Sequence, residues 1–160
     1  MPGINQKIHN ILTSRRKTLA IAESCTGGLA SSLLTKIPGS SKYFILGAIT
    51  YSNKAKEKIL KIPHKILSAK GAVSEETATL MAKNIRKIAG TDFGVGITGI
   101  AGPGGGTTDK PVGTVFIAIS SKNKTTCQKF AFSGNRNKIQ LNAALKALEL
   151  LKNRTVPIIL

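Results

Sequence analysis

The chain has 160 residues, 41% of them hydrophobic, which suits one core and predicts one compact domain over 1–160. No run approaches the roughly 18 apolar residues of a membrane span, and the start MPGINQKIHN lacks the charged-then-apolar order of a secretory signal, so a soluble cytoplasmic protein is expected. The net charge of +17 could serve nucleic acid. However, the lysines are spread from Lys7 to Lys152, there are five Phe, two Tyr and no Trp for stacking on bases, and no nucleic-acid motif occurs; a basic surface that favours anionic small molecules is the better reading.

Ile4, Ile8, Ile11 and Leu12 recur at helical spacing and predict an amphipathic helix over 4–15. Residues 18–22 read as a short buried strand, 27–36 as a helix stopped by Pro38-Gly39, and YFILGAITY (43–51) as a second strand. The lysine-rich stretch 53–68, interrupted by Pro63, predicts a short helix and then a turn. Ser74 is a good N-cap for a helix that ends near Gly90, with Glu75 and Glu76 in its first turn and Leu80, Met81, Ile85 and Ile88 on its buried face. DFGVGIT (92–98) is a third strand, 112–120 and 125–132 form a hairpin, and Asn135 caps a last helix from Arg136 to about Lys152 with Ile139, Leu145 and Leu148 facing inward. Strands alternating with helices, plus a terminal hairpin, predict a three-layer α/β/α sandwich around a mixed sheet of about five strands.

Several motifs argue about chemistry. Gly94, Gly96 and Gly99 spell G-x-G-x-x-G, but inside a strand and followed by a proline, so they read as room for a neighbouring backbone and not as a dinucleotide fingerprint. GPGGG (102–106) offers backbone N–H groups for a phosphate or an oxyanion. His9, His64, Cys25 and Cys127 are scattered, which argues against a metal site, and neither histidine sits where a Ser-His-Asp triad needs it. Without a secretion signal, the two cysteines read as free thiols.

AESCTGG (22–28) lies at a strand-to-helix corner and carries two nucleophile candidates, Ser24 and Cys25. The spacing alone slightly favours Cys25, because a helix N-terminus lowers a thiol pKa. YSNKAK (51–56) follows the neighbouring strand and should emerge at the same sheet edge, which would bring Tyr51, Lys54 and Lys56 toward Ser24.

Three segments together, AESCTGGLASSLLTKIPGSSKYF, GAITYSNKAK with GAVSEE, and TGIAGPGGGTTDKPVGTVFIAI, resemble the CinA C-terminal domain family, whose stand-alone members include the PncC-type nicotinamide mononucleotide deamidases. The resemblance runs from about residue 5 to 150, and a stand-alone domain is expected, lacking the N-terminal molybdopterin-binding-like domain of full-length members. It implies an amidohydrolase of pyridine nucleotide salvage that converts nicotinamide mononucleotide to nicotinic acid mononucleotide and ammonia without metal or cofactor. It also implies Ser24 as nucleophile in place of Cys25, Lys56 as base and Tyr51 as the tyrosine of the family's YSN motif; in the mechanism expected here Lys56 is held neutral by burial and cationic neighbours, with Tyr51 orienting or relaying the proton. Thr26, Gly27, Gly99, Gly102, Gly105, Thr107 and Arg136 are the expected substrate-binding residues, with Arg136 on the phosphate. Two departures bear on the substrate: Asp109 stands where the family has Glu, and Asn135 where it has Asp beside Arg136. The alternative is a nucleotide-binding or regulatory module of the competence and DNA-damage type without turnover. The apolar tail VPIIL (156–160) and family habit point to a homodimer.

Overall fold

The computed structural model describes residues 3–156. Leu19–Glu23 (β1) alternates its side chains between two buried faces, so both sides of the sheet must be covered. Phe44–Ile49 (β2) and Phe93–Gly99 (β3) run parallel to β1 on either side of it. Thr114–Ser120 (β4) and Thr125–Ala131 (β5) continue the sheet antiparallel, giving the order β2-β1-β3-β4-β5. The helices are Ile4–Ser14 (α1), Leu29–Thr35 (α2), Asn53–Leu60 (α3), His64–Lys70 (α4), Glu75–Ala89 (α5) and Arg136–Thr155 (α6).

Leu19 and Ile21 of β1 pack with Ile8 and Leu12 of α1, Leu34 of α2 and Ile139, Leu148 and Leu151 of α6. Ala20 and Ala22 point the other way, against Leu60, Leu67, Met81 and Ile85 of α3, α4 and α5. The result is the expected three-layer sandwich around a five-stranded mixed sheet.

Three local expectations need correction. Segment 53–68 holds two helices, because Pro63 occupies the N-cap of α4, where its fixed φ and missing N–H suit a helix start. Ile88 and Leu145 are not core residues and stand partly in solvent. The buried stripe of α5 is Thr77, Ala78, Met81, Ala82 and Ile85. α6 runs on to Thr155, where the Arg15 guanidinium donates to the Thr155 carbonyl. Val156 is described; residues 157–160 of the VPIIL tail lie outside the described residues.

The parallel register brings the C-terminal ends of β1 and β2 out together, Glu23 opposite Ile49, with Ile97 of β3 on the other side of Glu23. The long segment between β3 and β4 starts at the same edge. Its neck is pinned where Ile100 N–H donates to the Thr114 carbonyl at 2.9 Å and Gly113 N–H to the Ile100 carbonyl at 2.7 Å.

Gly94 and Gly96 have the role that the sequence assigns to them. A Cβ at Gly94 would lie 2.2 Å from the Ala82 carbonyl oxygen and one at Gly96 2.4 Å from that of Ala78, so β3 and α5 approach backbone to backbone. Gly96→Ala must therefore push the helix away, and we expect a loss of about 1–3 kcal/mol in stability. The urea midpoint of unfolding measures it, and an unchanged midpoint would show that α5 does not sit this close.

Candidate active site

The corner after β1 is organised by Glu23, whose side chain is completely buried. A carboxylate in the interior needs donors to replace water. It accepts hydrogen bonds from Thr26 Oγ1 at 2.5 Å, Ser31 Oγ at 2.7 Å and the N–H groups of Gly28, Ala30 and Ser31 at 3.1, 3.1 and 2.8 Å. The last three are the amides at the start of α2, so the negative charge also meets the positive end of the helix. Gly28, the N-cap, has no side chain with which to cap, and Glu23 serves in its place from the strand. The turn requires φ of +60° at Gly27 and +98° at Gly28, a region that glycine enters without steric cost. It closes with Gly27 N–H donating to the Ser24 carbonyl at 3.1 Å, and Gln140 of α6 donates through Nε2 to the Cys25 carbonyl at 2.8 Å.

Ser52 caps α3, its Oγ accepting from Ala55 N–H at 3.1 Å, and this start places Lys56 on the inward side of the helix. Lys56 is 1% exposed. Its Nζ lies 2.7 Å from the Thr50 carbonyl, 3.4 Å from the Tyr51 carbonyl and 3.0 Å from Ser24 Oγ. Burial lowers its pKa from the ordinary 10.5 to about 8, with Cys25 opposing the shift; no neighbouring cation contributes, contrary to the expectation from sequence. Near neutrality Lys56 therefore has an accessible free-base form, next to a hydroxyl.

Cys25 behaves in the opposite way. Burial pushes its thiol up to about 12, and this outweighs the hydrogen bond and positive charges that act the other way. The preference for Cys25 drawn from helix polarity is thus overturned by packing: the side chain belongs to the core under α6.

Ser24 and Lys56 lie in a cavity of about 210 Å³, together with Thr98 and Gly99 at the end of β3, Ala72 and Val73 before α5, and Tyr51, Cys25, Ala101 and Arg136. Arg136, the first residue of α6, donates from Nη1 to the Gly102 carbonyl at 2.7 Å and from Nη2 to Tyr51 Oη at 2.8 Å. The partner left open by Asn135 is therefore a carbonyl and a phenol, while Asn135 itself caps α6 through Lys138 N–H at 3.0 Å.

The structure does not bring every expected residue together. The Tyr51 ring is 58% exposed with its hydroxyl on Arg136, so it is the main-chain carbonyl of Tyr51, not its phenol, that approaches Lys56. Thr26 is buried beneath the corner on Glu23, and Gly27 is exposed. Gly105 and Thr107 lie at the exposed loop tip, where Thr107 N–H donates to the Lys110 carbonyl at 2.9 Å, and neither lines the cavity. Sequence reasoning missed the Thr50 carbonyl and Thr98, whose Oγ1 donates to the Ala72 carbonyl at 2.7 Å and ties β3 to the segment before α5. It also missed Gln140, one turn beyond Arg136 on the same helix face, a spacing that could have flagged it.

With this geometry in hand, comparison with known proteins is informative. Residues 2–155 match the model of the CinA C-terminal domain. A CinA-like protein of Syntrophotalea carbinolica is 51% identical over 145 residues, which are 91% of this chain and 35% of that protein. A CinA-like protein of Geobacter sulfurreducens is 43% identical over 151 residues, 94% of this chain and 37% of the relative. The chain thus spans about a third of the length of these curated relatives. The crystal structure of competence/damage inducible protein CihA from Agrobacterium tumefaciens superposes with a TM-score of 0.91 at 38% identity, covering 94% of this chain and 95% of the other. No helix among the described residues is long and apolar enough to cross a membrane. By sequence over nearly its full length and by fold, the chain belongs to the CinA C-terminal domain family.

Proposed function

We propose that this chain is a serine–lysine amidohydrolase that converts nicotinamide mononucleotide to nicotinic acid mononucleotide and ammonia. The observation that carries the reading is Lys56 Nζ, buried and 3.0 Å from Ser24 Oγ, beside a cavity. Neutral Lys56 takes the Ser24 proton as Oγ attacks the carboxamide carbon, then gives a proton to the departing nitrogen, so that ammonia leaves an acyl ester on Ser24. Water attacks that ester with Lys56 again as base, and the nicotinic acid product leaves with Ser24 restored.

The amides of Cys25 and Thr26 make no backbone hydrogen bond among the described residues and follow the nucleophile directly, the position of an oxyanion hole. Each such donor contributes roughly 3 kcal/mol to the transition state in known cases. Arg136 lies at the rim with donors to spare beyond Gly102 and Tyr51, and it suits the single phosphate of the nucleotide. The amide substrate itself is drawn from the family resemblance, which the Ser24–Lys56 pair supports because an amide needs both a nucleophile and an acid for its poor leaving group.

Ser24→Ala should abolish ammonia release from nicotinamide mononucleotide with the fold intact by circular dichroism, whereas Cys25→Ala should retain it. Loss in Cys25→Ala alone would reinstate the thiol, and nucleotide binding by the wild-type chain with no ammonia at any pH would favour a binding module. Arg136→Ala should raise KM more than it lowers kcat.

The lowered pKa of Lys56 has two consequences for pH dependence. As general base it must be neutral, so kcat/KM should climb with pH and level off above about 8. For stability, the folded pKa lies below the unfolded one, so the unfolded chain binds more protons between about 8 and 10.5 and stability rises with pH across that window. In Lys56→Met this rise should vanish, and at pH 7 the variant should melt above the wild type. A flat difference between the two chains from pH 7 to 10 would show that Lys56 is not strained by burial.

A further inference from the structure

At the opposite end of the sheet from Ser24, the far end of α5 and the turn between β4 and β5 enclose a hollow of about 320 Å³. Ser120 at the end of β4 pairs with Gly94 at the start of β3, while Gly99 at the other end of β3 lines the catalytic cavity. The five residue steps from Gly94 to Gly99 separate the two by about 17 Å. Five cationic side chains line this hollow: Lys83, Arg86 and Lys87 from α5 and Lys122 and Lys124 from the turn. No carboxylate lines it, and none of the five takes part in an ion pair among the described residues.

A helix C-terminus attracts cations through its dipole, which accounts for Arg86 and Lys87 but not for Lys83 or the two turn lysines. Bringing five positive charges together from two elements without a counter-charge costs energy in the empty state. Arg86 adds a second sign: its stem packs against the bare backbone of Gly94, and its Nε is buried without a hydrogen-bond partner. An orphaned guanidinium N–H of this kind is costly unless a ligand or water supplies the acceptor. The turn opposite is held firmly, since the Lys124 carbonyl accepts from Ser121 N–H at 2.9 Å, Ser121 Oγ at 3.0 Å and Arg154 Nη2 at 3.1 Å. The lysines are thus mounted on fixed backbone.

We infer that this hollow is a second anion site, which binds an oligophosphate such as the phosphate chain of a nucleoside triphosphate or inorganic tripolyphosphate. One phosphoryl group brings no more than about two negative charges, fewer than the five cations present, whereas linked phosphates match the charge of the hollow. The site lies away from Ser24 and Lys56, so its occupancy is independent of the amidohydrolase reading.

Calorimetric titration with tripolyphosphate and with ATP at physiological salt tests this. Wild type should bind one equivalent of each, and Lys122→Gln/Lys124→Gln, both exposed turn positions, should weaken binding at least about tenfold with an unchanged melting temperature. A charge-matched control, Lys36→Gln/Lys42→Gln, at the end of α2 and just before β2, the edge strand opposite β5, should bind as the wild type does. Equal weakening in the control would assign the binding to the overall positive field and overturn the site, as would undiminished binding in the turn variant. If tripolyphosphate binds and ATP does not, the ligand is a free oligophosphate; the reverse identifies a nucleotide. Binding of a short random-sequence DNA duplex with no binding of either oligophosphate would overturn the proposal in favour of a nucleic-acid face.

Discussion

The corner after β1 depends on one buried carboxylate. Glu23 ends β1, and its five hydrogen bonds join that strand to the first turn of α2. α2 is only seven residues long, too short to hold itself together by its own hydrogen bonds, so its start is fixed by what it is tied to. Because Ser24 is the next residue along the chain and its own N–H donates to the Ile97 carbonyl at 2.9 Å, its backbone is anchored to the sheet. Rigid support of this kind gives the Ser24 hydroxyl a defined place.

Glu23 and Lys56 show two ways to bury a charge within one site. Glu23 has donors on both oxygens and a helix N-terminus beneath it. Lys56 has main-chain carbonyls and a hydroxyl but no carboxylate among its hydrogen-bond partners. Burial therefore disfavours its charged form, and the pKa falls.

Much of this was legible in the sequence because it is local. Ser74 and Asn135 are caps where their spacing places them, with Thr77 and Lys138 as the donors, and the strand order follows from the βαβ pattern and the hairpin. Strand-end logic also put YSNKAK beside AESCTGG. What stayed hidden was set by packing between distant segments. The Cys25 thiol is pushed up in pKa because it is buried with α6, more than a hundred residues on, and no local rule about helix dipoles could register that. Tyr51 faces out because Ser52 starts α3 immediately afterwards, which aims Lys56 inward and leaves the preceding ring at the rim. The buried face of α5 turned toward Ala78 and Ala82, and away from Ile88, because Gly94 and Gly96 draw the helix onto β3 along its smallest residues. Hydrophobicity alone ranks isoleucine above alanine, but close backbone approach reverses that order.

The same close approach links the two ends of the sheet. By seating α5 directly on β3, Gly94 and Gly96 fix where the helix begins, near Thr98 and the Ser24–Lys56 cavity, and where it ends, beside the lysine-bearing turn. One cationic cluster lies at the surface with no carboxylate lining it, while Lys56 is isolated and buried. A net charge of +17 is thus not one property of the chain. Burial lowers the pKa of one of its lysines, and crowding makes five of its cations a site for anions.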